Sequence, residues 1–143
     1  MNSRHSVTVD VDVPPDRMYA LVTDFESYPS FVPNQSAVRV LARTDERWRV
    51  EFELKVAKRL VYELELTGEV GEGLRWSLVA GDMMDKTEGG WRFEPLDGGR
   101  TRAHYEIAVE LAGFVPRSVT RALIERTLPA NVHAFKLEAE RRG

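Results

Sequence analysis

Apolar and polar residues alternate along most of this chain, and the period of the alternation divides it into elements. Near the start, Val7, Val9, Val11 and Val13 occupy every second position, with Thr8, Asp10 and Asp12 between them. Successive side chains of an extended chain point to opposite faces, so residues 5–13 are predicted to form a half-buried strand. Pro14-Pro15-Asp16 ends it and suits a helix start. Proline lacks a donor that the first helical turn does not use, and Asp complements the positive end of the helix dipole. Met18, Leu21, Val22 and Phe25 then recur at helical spacing. Thr23-Asp24 marks a break before a second short helix from Phe25 to Phe31, which Pro29 and Pro33 keep short.

From residue 34 the period returns to two. Val38 and Val40 alternate with Ala37 and Arg39, and Trp48, Val50, Phe52, Leu54 and Val56 share one face of the next strand. After a turn near Ala57-Lys58 come Tyr62, Leu64 and Leu66, and after Gly71-Glu72-Gly73 come Leu74, Trp76 and Leu78. A looser stretch, Gly81-Asp82-Met83-Met84-Asp85, leads to Trp91 and Phe93. Asp97-Gly98-Gly99 is a hairpin signal, followed by Ala103, Tyr105, Ile107, Val109 and Leu111. Gly113 to Pro116 ends the sheet, and Val119, Leu123, Leu128, Val132, Phe135 and Ala139 then give one apolar side to a long helix from about Pro116 to Arg141. Pro129 inside it predicts a kink.

The predicted class is α+β: a strand, two short helices, six further strands and a long C-terminal helix. Seven strands at roughly 4.8 Å spacing span about 30 Å, whereas a helix with its side chains is only about 10–12 Å across. One face of each strand is apolar and needs cover. The sheet is therefore predicted to curl around the helix, with the short helices closing one end and an apolar cavity between them.

Composition narrows the function. The chain has 143 residues, a net charge of −3 and no cysteine, so disulfide and thiolate chemistry are excluded. A cytoplasmic location is the expectation, because the N-terminal residues lack the apolar run of a signal peptide and no stretch approaches a membrane span. His5, His104 and His133 lie on separate elements without metal-ligand spacing, and no nucleophile motif, phosphate loop or dinucleotide fingerprint is present. No metal or cofactor is expected. The acidic balance disfavours specific nucleic-acid recognition.

Three motifs carry a resemblance. The segment Leu21-Val-Thr-Asp-Phe-Glu-Ser-Tyr-Pro-Ser-Phe-Val-Pro33 resembles the "D-x-x-x-Y-P-x-F-x-P" signature of START-like proteins of the coenzyme Q-binding and RatA type. Gly89-Gly-Trp-Arg-Phe-Glu-Pro95 is similar to their "G-x-W-x-F-x-P" strand, and Leu128-Pro-Ala-Asn-Val-His-Ala-Phe135 to their C-terminal helix. The resemblance implies a helix-grip (START-like, SRPBCC) fold over residues 1–143 as one ligand-binding domain, within the polyketide cyclase/dehydrase and lipid-transport superfamily. It implies carriage of a polyprenyl quinone, isoprenoid or lipid, with polyketide aromatase/cyclase or dehydrase activity, or RatA-like ribosome association, as alternatives. Transient membrane or ribosome contact follows as a partner class, and the oligomeric state is left open. Asn34-Gln35 departs from the pattern, since coenzyme Q-binding relatives usually carry an aromatic residue and a cysteine there.

The inward parity of the strands names the candidate ligand-binding residues: Phe31, Val38, Phe52, Leu54, Tyr62, Leu64, Trp76, Met83, Met84, Trp91, Phe93, Tyr105, Ile107, Leu128 and Val132. Glu51, Glu53, Glu63, Glu65, Glu106 and Glu110 have outward parity. Polar chemistry inside the cavity then falls to the Tyr62 and Tyr105 hydroxyls, with Arg126 as the third member of a catalytic set if the protein is an enzyme. Asn131 and His133 are further polar positions on the helix. Tyr28 to Pro33 and Met83-Met84 are expected at the cavity ends as gate or rim. Arg117, Arg121, Arg126, Arg141 and Arg142 give the last helix a basic bias.

Overall fold

The computed structural model describes residues 2–56 and 58–143, and in it the alternating segments assemble into one antiparallel sheet. Its strands are β1 (Asn2–Val11), β2 (Gln35–Thr44), β3 (Arg47–Val56), β4 (Lys58–Glu69), β5 (Gly73–Gly81), β6 (Met84–Leu96) and β7 (Arg100–Leu111). The spatial order is β1-β7-β6-β5-β4-β3-β2. Strands β2 to β7 thus meander, and β1 is laid on the far edge against β7. The crossing from β1 to β2 is made by helix α1 (Pro15–Val22) and a 3-10 turn (Phe25–Ser30). Thr23 ends α1 where the sequence breaks. The turn predicted at Ala57 lies outside the described residues, as does the side chain of Val56.

Register brings the apolar parities into rows. Val7 pairs with Tyr105, Tyr105 with Trp91, and Trp91 with Leu74. Val38 pairs with Phe52 and Phe52 with Tyr62. Neighbouring backbones approach closely at Gly89 and Gly90, which open the "G-x-W-x-F-x-P" segment. A Cβ added at Gly89 would stand 2.1 Å from the carbonyl oxygen of Glu106, and one at Gly90 2.5 Å from that of Leu74. Backbone of both neighbouring strands occupies the space a side chain would need.

The predicted single helix is a continuous run with an irregular middle: α2 (Arg117–Ala122), a π turn (Leu123–Thr127) and α3 (Leu128–Arg142). The irregularity that Pro129 predicts is found as a π turn ending at Thr127, before the proline rather than at it. A proline ring presses on the carbonyl four residues before it, here that of Glu125. The wider π turn accommodates that crowding, and Pro129 itself sits in the first turn of α3, where its missing donor costs little.

Polar contacts fix the helix against the sheet and the short elements. Lys136 Nζ donates to the Asp10 carbonyl at 2.9 Å and pairs with Glu140 at 2.7 Å, and the Asp12 N–H donates to Glu140 at 3.0 Å. At the C-terminal end, the largely buried Glu138 accepts from Arg141 at 2.6 Å and from Arg142 at 2.8 Å. Arg142 also reaches Asp24 at 3.1 Å and lies 5.8 Å from the centre of the Phe31 ring. Arg141 and Arg142 are thus committed to ion pairs, and only Arg117, Arg121 and Arg126 of the expected basic face remain outside that network. The apolar core has two parts. One joins α1, the 3-10 turn, α3 and the middle of the sheet; the other joins α2 and the π turn to Leu54, Leu60, Met84, Val109 and Leu111.

Two outcomes follow for stability. Gly89→Ala forces a methyl group into the β7 backbone and should cost about 1–3 kcal/mol in urea denaturation. Gly113→Ala, with no atom within 4 Å of the new carbon, should change stability by less than about 0.5 kcal/mol. The hydrogen bonds from Arg141 and then Arg142 hold the Glu138 carboxyl down at about 2, below its ordinary 4.5. A lowered folded value stabilises above the unfolded value and is lost as pH falls. The stability difference between the wild type and Glu138→Gln should therefore be full at neutral pH and vanish between about 4.5 and about 2.

Candidate functional site

Between the sheet and the C-terminal helix lies a cavity at the seam of the two core parts, with about 90 Å³ of unfilled space. Strand β3 contributes Phe52 and Leu54, β4 Tyr62, Leu64 and Leu66, and β5 Leu74 and Trp76. Met84, Thr87 and Trp91 come from β6, and Tyr105, Ile107 and Val109 from β7. Leu123 of the π turn and Leu128, Asn131, Val132 and Phe135 of α3 form the opposite wall, and Tyr28, Val32 and Gln35 close one end. The aromatic rings pack on one another. Phe52 and Tyr62 stack at 5.4 Å, Trp91 meets Tyr105 edge-on at 4.9 Å and Phe135 at 5.5 Å, and Tyr28 meets Phe135 at 4.9 Å. A face built this way is stiff, large and apolar.

The polar groups in this wall are few. Among the described residues no carboxylate, histidine, lysine or arginine lines it. The Tyr28 hydroxyl donates to the carbonyl of Val22. Burial pushes the Tyr62 phenol up to about 12, with a hydrogen bond from Gln35 pulling the other way. Burial, and then the nearby Tyr62, raises Tyr105 further still. At neutral pH both are neutral O–H donors, able to orient or polarise a carbonyl but not to act as phenolate bases. Asn131 donates through its amide nitrogen to the carbonyls of Thr127 at 3.1 Å and Pro33 at 3.0 Å, tying α3 to the segment that enters β2. The Oε1 atom of Gln35 is buried without a partner.

Of the candidate ligand-binding residues, eleven face this cavity: Phe52, Leu54, Tyr62, Leu64, Trp76, Met84, Trp91, Tyr105, Ile107, Leu128 and Val132. Four do not line it. Phe31 stands behind Phe135, with ring centres 5.2 Å apart, Phe93 is buried behind Trp91, and Val38 packs on the core from β2. Met83 sits in the β5–β6 turn with a left-handed backbone, φ 58°, which turns it away from the buried Met84. Arg126 is exposed on the outer side of the π turn and does not join Tyr62 and Tyr105. Sequence parity missed Gln35, because a β-bulge between Gln35 and Ala37 inverts the alternation that Val38 and Val40 set. Thr87 was missed because the Gly81–Asp85 stretch hides the start of β6.

A larger groove of about 680 Å³ runs across β1, β7, β6, β5 and β4. Arg4 and Arg75 alternate there with Glu65, Glu88 and Glu106, the mixed charge of a solvated surface.

Residues 11–136 match the polyketide cyclase/dehydrase and lipid-transport family. The chain belongs to that START-like family. Within it, the chain is 29% identical over 131 residues to the persistence and stress-resistance toxin PasT of Escherichia coli, which spans 87% of this chain and 79% of that protein. The ribosome association toxin RatA of Escherichia coli is 28% identical over the same shares. The Zhui aromatase/cyclase of a Streptomyces species superposes with a TM-score of 0.89 at 21% identity, covering 99% of this chain and 96% of that one. A START superfamily protein of Mycobacterium smegmatis gives 0.84 at 23%, covering 98% and 99%. These two structures establish the helix-grip fold of this START-like chain and nothing finer.

All four tyrosines have phenols raised above the ordinary value of 10, burial being the first cause in each. Ultraviolet titration of the folded protein should show no tyrosine ionising near pH 10, whereas in urea all four should do so. Because the folded state keeps protons the unfolded chain releases, stability should fall as pH rises past 10.

Proposed function

We propose that the protein binds and carries a hydrophobic small molecule, of the polyprenyl quinone, isoprenoid or lipid class, in the cavity between the sheet and α3. The chain would serve as one ligand-binding domain over residues 1–143, acting in the cytoplasm. The observation that carries this reading is the chemistry of the wall: aromatic and aliphatic throughout, with neutral hydroxyls and amides as its polar features. Such a wall favours an apolar body by burial and orients it by a hydrogen bond at one end. Among the described residues it offers no ionised acid or base for proton transfer. An aromatase/cyclase mechanism built on Tyr62, Tyr105 and Arg126 has less support, because Arg126 is exposed and away from the two phenols.

The unfilled space of about 90 Å³ is well below the roughly 300–1,000 Å³ of ligand pockets, so an occupant must displace side chains. The sheet supplies a place for this. Ladder pairing between β5 and β6 stops at Ser77–Glu88, although β5 stays paired to β4 as far as Gly81 and β6 to β7 as far as Met84. Separating these strands breaks no further cross-strand bonds at Leu78 and Thr87.

A second reading is association with the ribosome, as the name of the ribosome association toxin RatA states for that relative. Arg117 and Arg121 line a groove beside α2, and they are exposed, as is Arg126. Ribosome co-sedimentation at low salt, weakening steeply as salt rises, would favour this reading.

Native mass spectrometry of protein purified from cells should show a co-purifying hydrophobic molecule that organic extraction removes. Adding a matching lipid or quinone at a hundred times its dissociation constant should raise stability by about 2.7 kcal/mol. A clean apo mass, with no thermal shift from quinones, fatty acids or isoprenoids, would exclude carriage.

A further inference from the structure

The entry into β2 is built to turn one polar side chain inward. Asn34 has a left-handed backbone, φ 69°, and its carbonyl accepts from Lys55 N–H at 2.8 Å. The bulge that follows leaves Ser36 exposed, with its hydroxyl on the carbonyl of Glu53 at 3.3 Å, and sets Gln35 opposite the buried Leu54. Gln35 therefore reaches the cavity beside Tyr62.

Two groups there lack partners. Gln35 and Tyr62 share the cavity wall, and the Gln35 Oε1 is buried and unpartnered. A buried acceptor left unsatisfied is costly and uncommon. The Tyr62 phenol is neutral at neutral pH and carries an O–H to give. An open acceptor and a hydroxyl donor thus share a largely apolar wall. A ketone or quinone oxygen only accepts. It would satisfy Tyr62 and leave Oε1 orphaned. A hydroxyl group both donates and accepts, and satisfies both.

We propose that Gln35 and Tyr62 form a subsite for the hydroxyl of a hydrophobic alcohol, phenol or quinol, selecting it over the corresponding carbonyl compound. The inference rests on the carrier reading and specifies the ligand class at the same site. Gln35 is the specificity-determining residue, and the preference lies in a proton the ligand must supply.

The test compares menthol with menthone, an alcohol and ketone of one carbon skeleton, by quenching of tryptophan fluorescence. Wild-type protein should bind menthol about tenfold more tightly, the ratio expected for one buried hydrogen bond. In Gln35→Leu the ratio should fall to about one. That variant should melt no lower than wild type, since an apolar side chain replaces an unpaired buried polar group. Tyr62→Phe should weaken binding of both probes. Equal or tighter binding of menthone by the wild type overturns the subsite and leaves carriage standing, as does a menthol preference that survives in Gln35→Leu. Failure of both probes to bind at any concentration they reach in solution overturns carriage and the subsite together.

Discussion

A sheet whose apolar face is far wider than one helix cannot lie flat against it. This mismatch is the constraint from which the rest of the architecture follows. To bring Val7, Tyr105, Trp91 and Leu74 under the same helix as Phe52 and Tyr62, the sheet must bend, and Gly89 and Gly90 let neighbouring backbones approach where a side chain would stand. The long helix must stay close along its whole length, and Lys136 and Glu140 hold it to the end of β1 through backbone hydrogen bonds while Arg142 pairs with Asp24. Between its two ends the packing divides into two clusters, and the cavity is the seam where they meet.

The same constraint shapes the chemistry. Inward positions are needed for burial, so they are apolar or aromatic, and charges are driven to the outer face, where Arg49 pairs with Glu63 and Arg39 with Glu51. Besides the tyrosine and Thr87 hydroxyls, the polar groups of the cavity come from residues beside an interrupted element. Gln35 follows a left-handed Asn34 and precedes a bulge, and Asn131 lies one turn beyond the π turn, bonded back to Pro33. The segment around Pro33 and the irregular part of the helix are thus coupled through one amide. Movement of either would alter the end of the cavity that carries the Tyr62 and Gln35 groups.

Membership of the polyketide cyclase/dehydrase and lipid-transport family fits proteins of several uses on one scaffold, and the scaffold alone does not choose among them. The choice rests on the site. Among the described residues the wall holds neutral phenols and no ionised group, which is the ground of the carriage proposed above. The exposed position of Arg126 separates the one strong cation of the proposed catalytic set from its phenols.

Alternation along the chain by itself determined the strand count, the inward rows and the apolar quality of the cavity, because period two leaves little freedom once one face must be buried. It also placed the breaks at Thr23 and Asp97-Gly98-Gly99. Tertiary structure decided what alternation cannot express. The bulge at Ser36 reverses the parity of Gln35, and the crowding at Pro129 is relieved one turn earlier, as a π turn. Arg141 and Arg142 are drawn from a basic face into pairs with Glu138 and Asp24. Phe31, Val38, Phe93 and Met83 face apolar surroundings as their pattern requires, yet in a curled sheet being inward is not the same as reaching the cavity. Each of these outcomes depends on what a neighbouring element presents, and that information is not local in the chain.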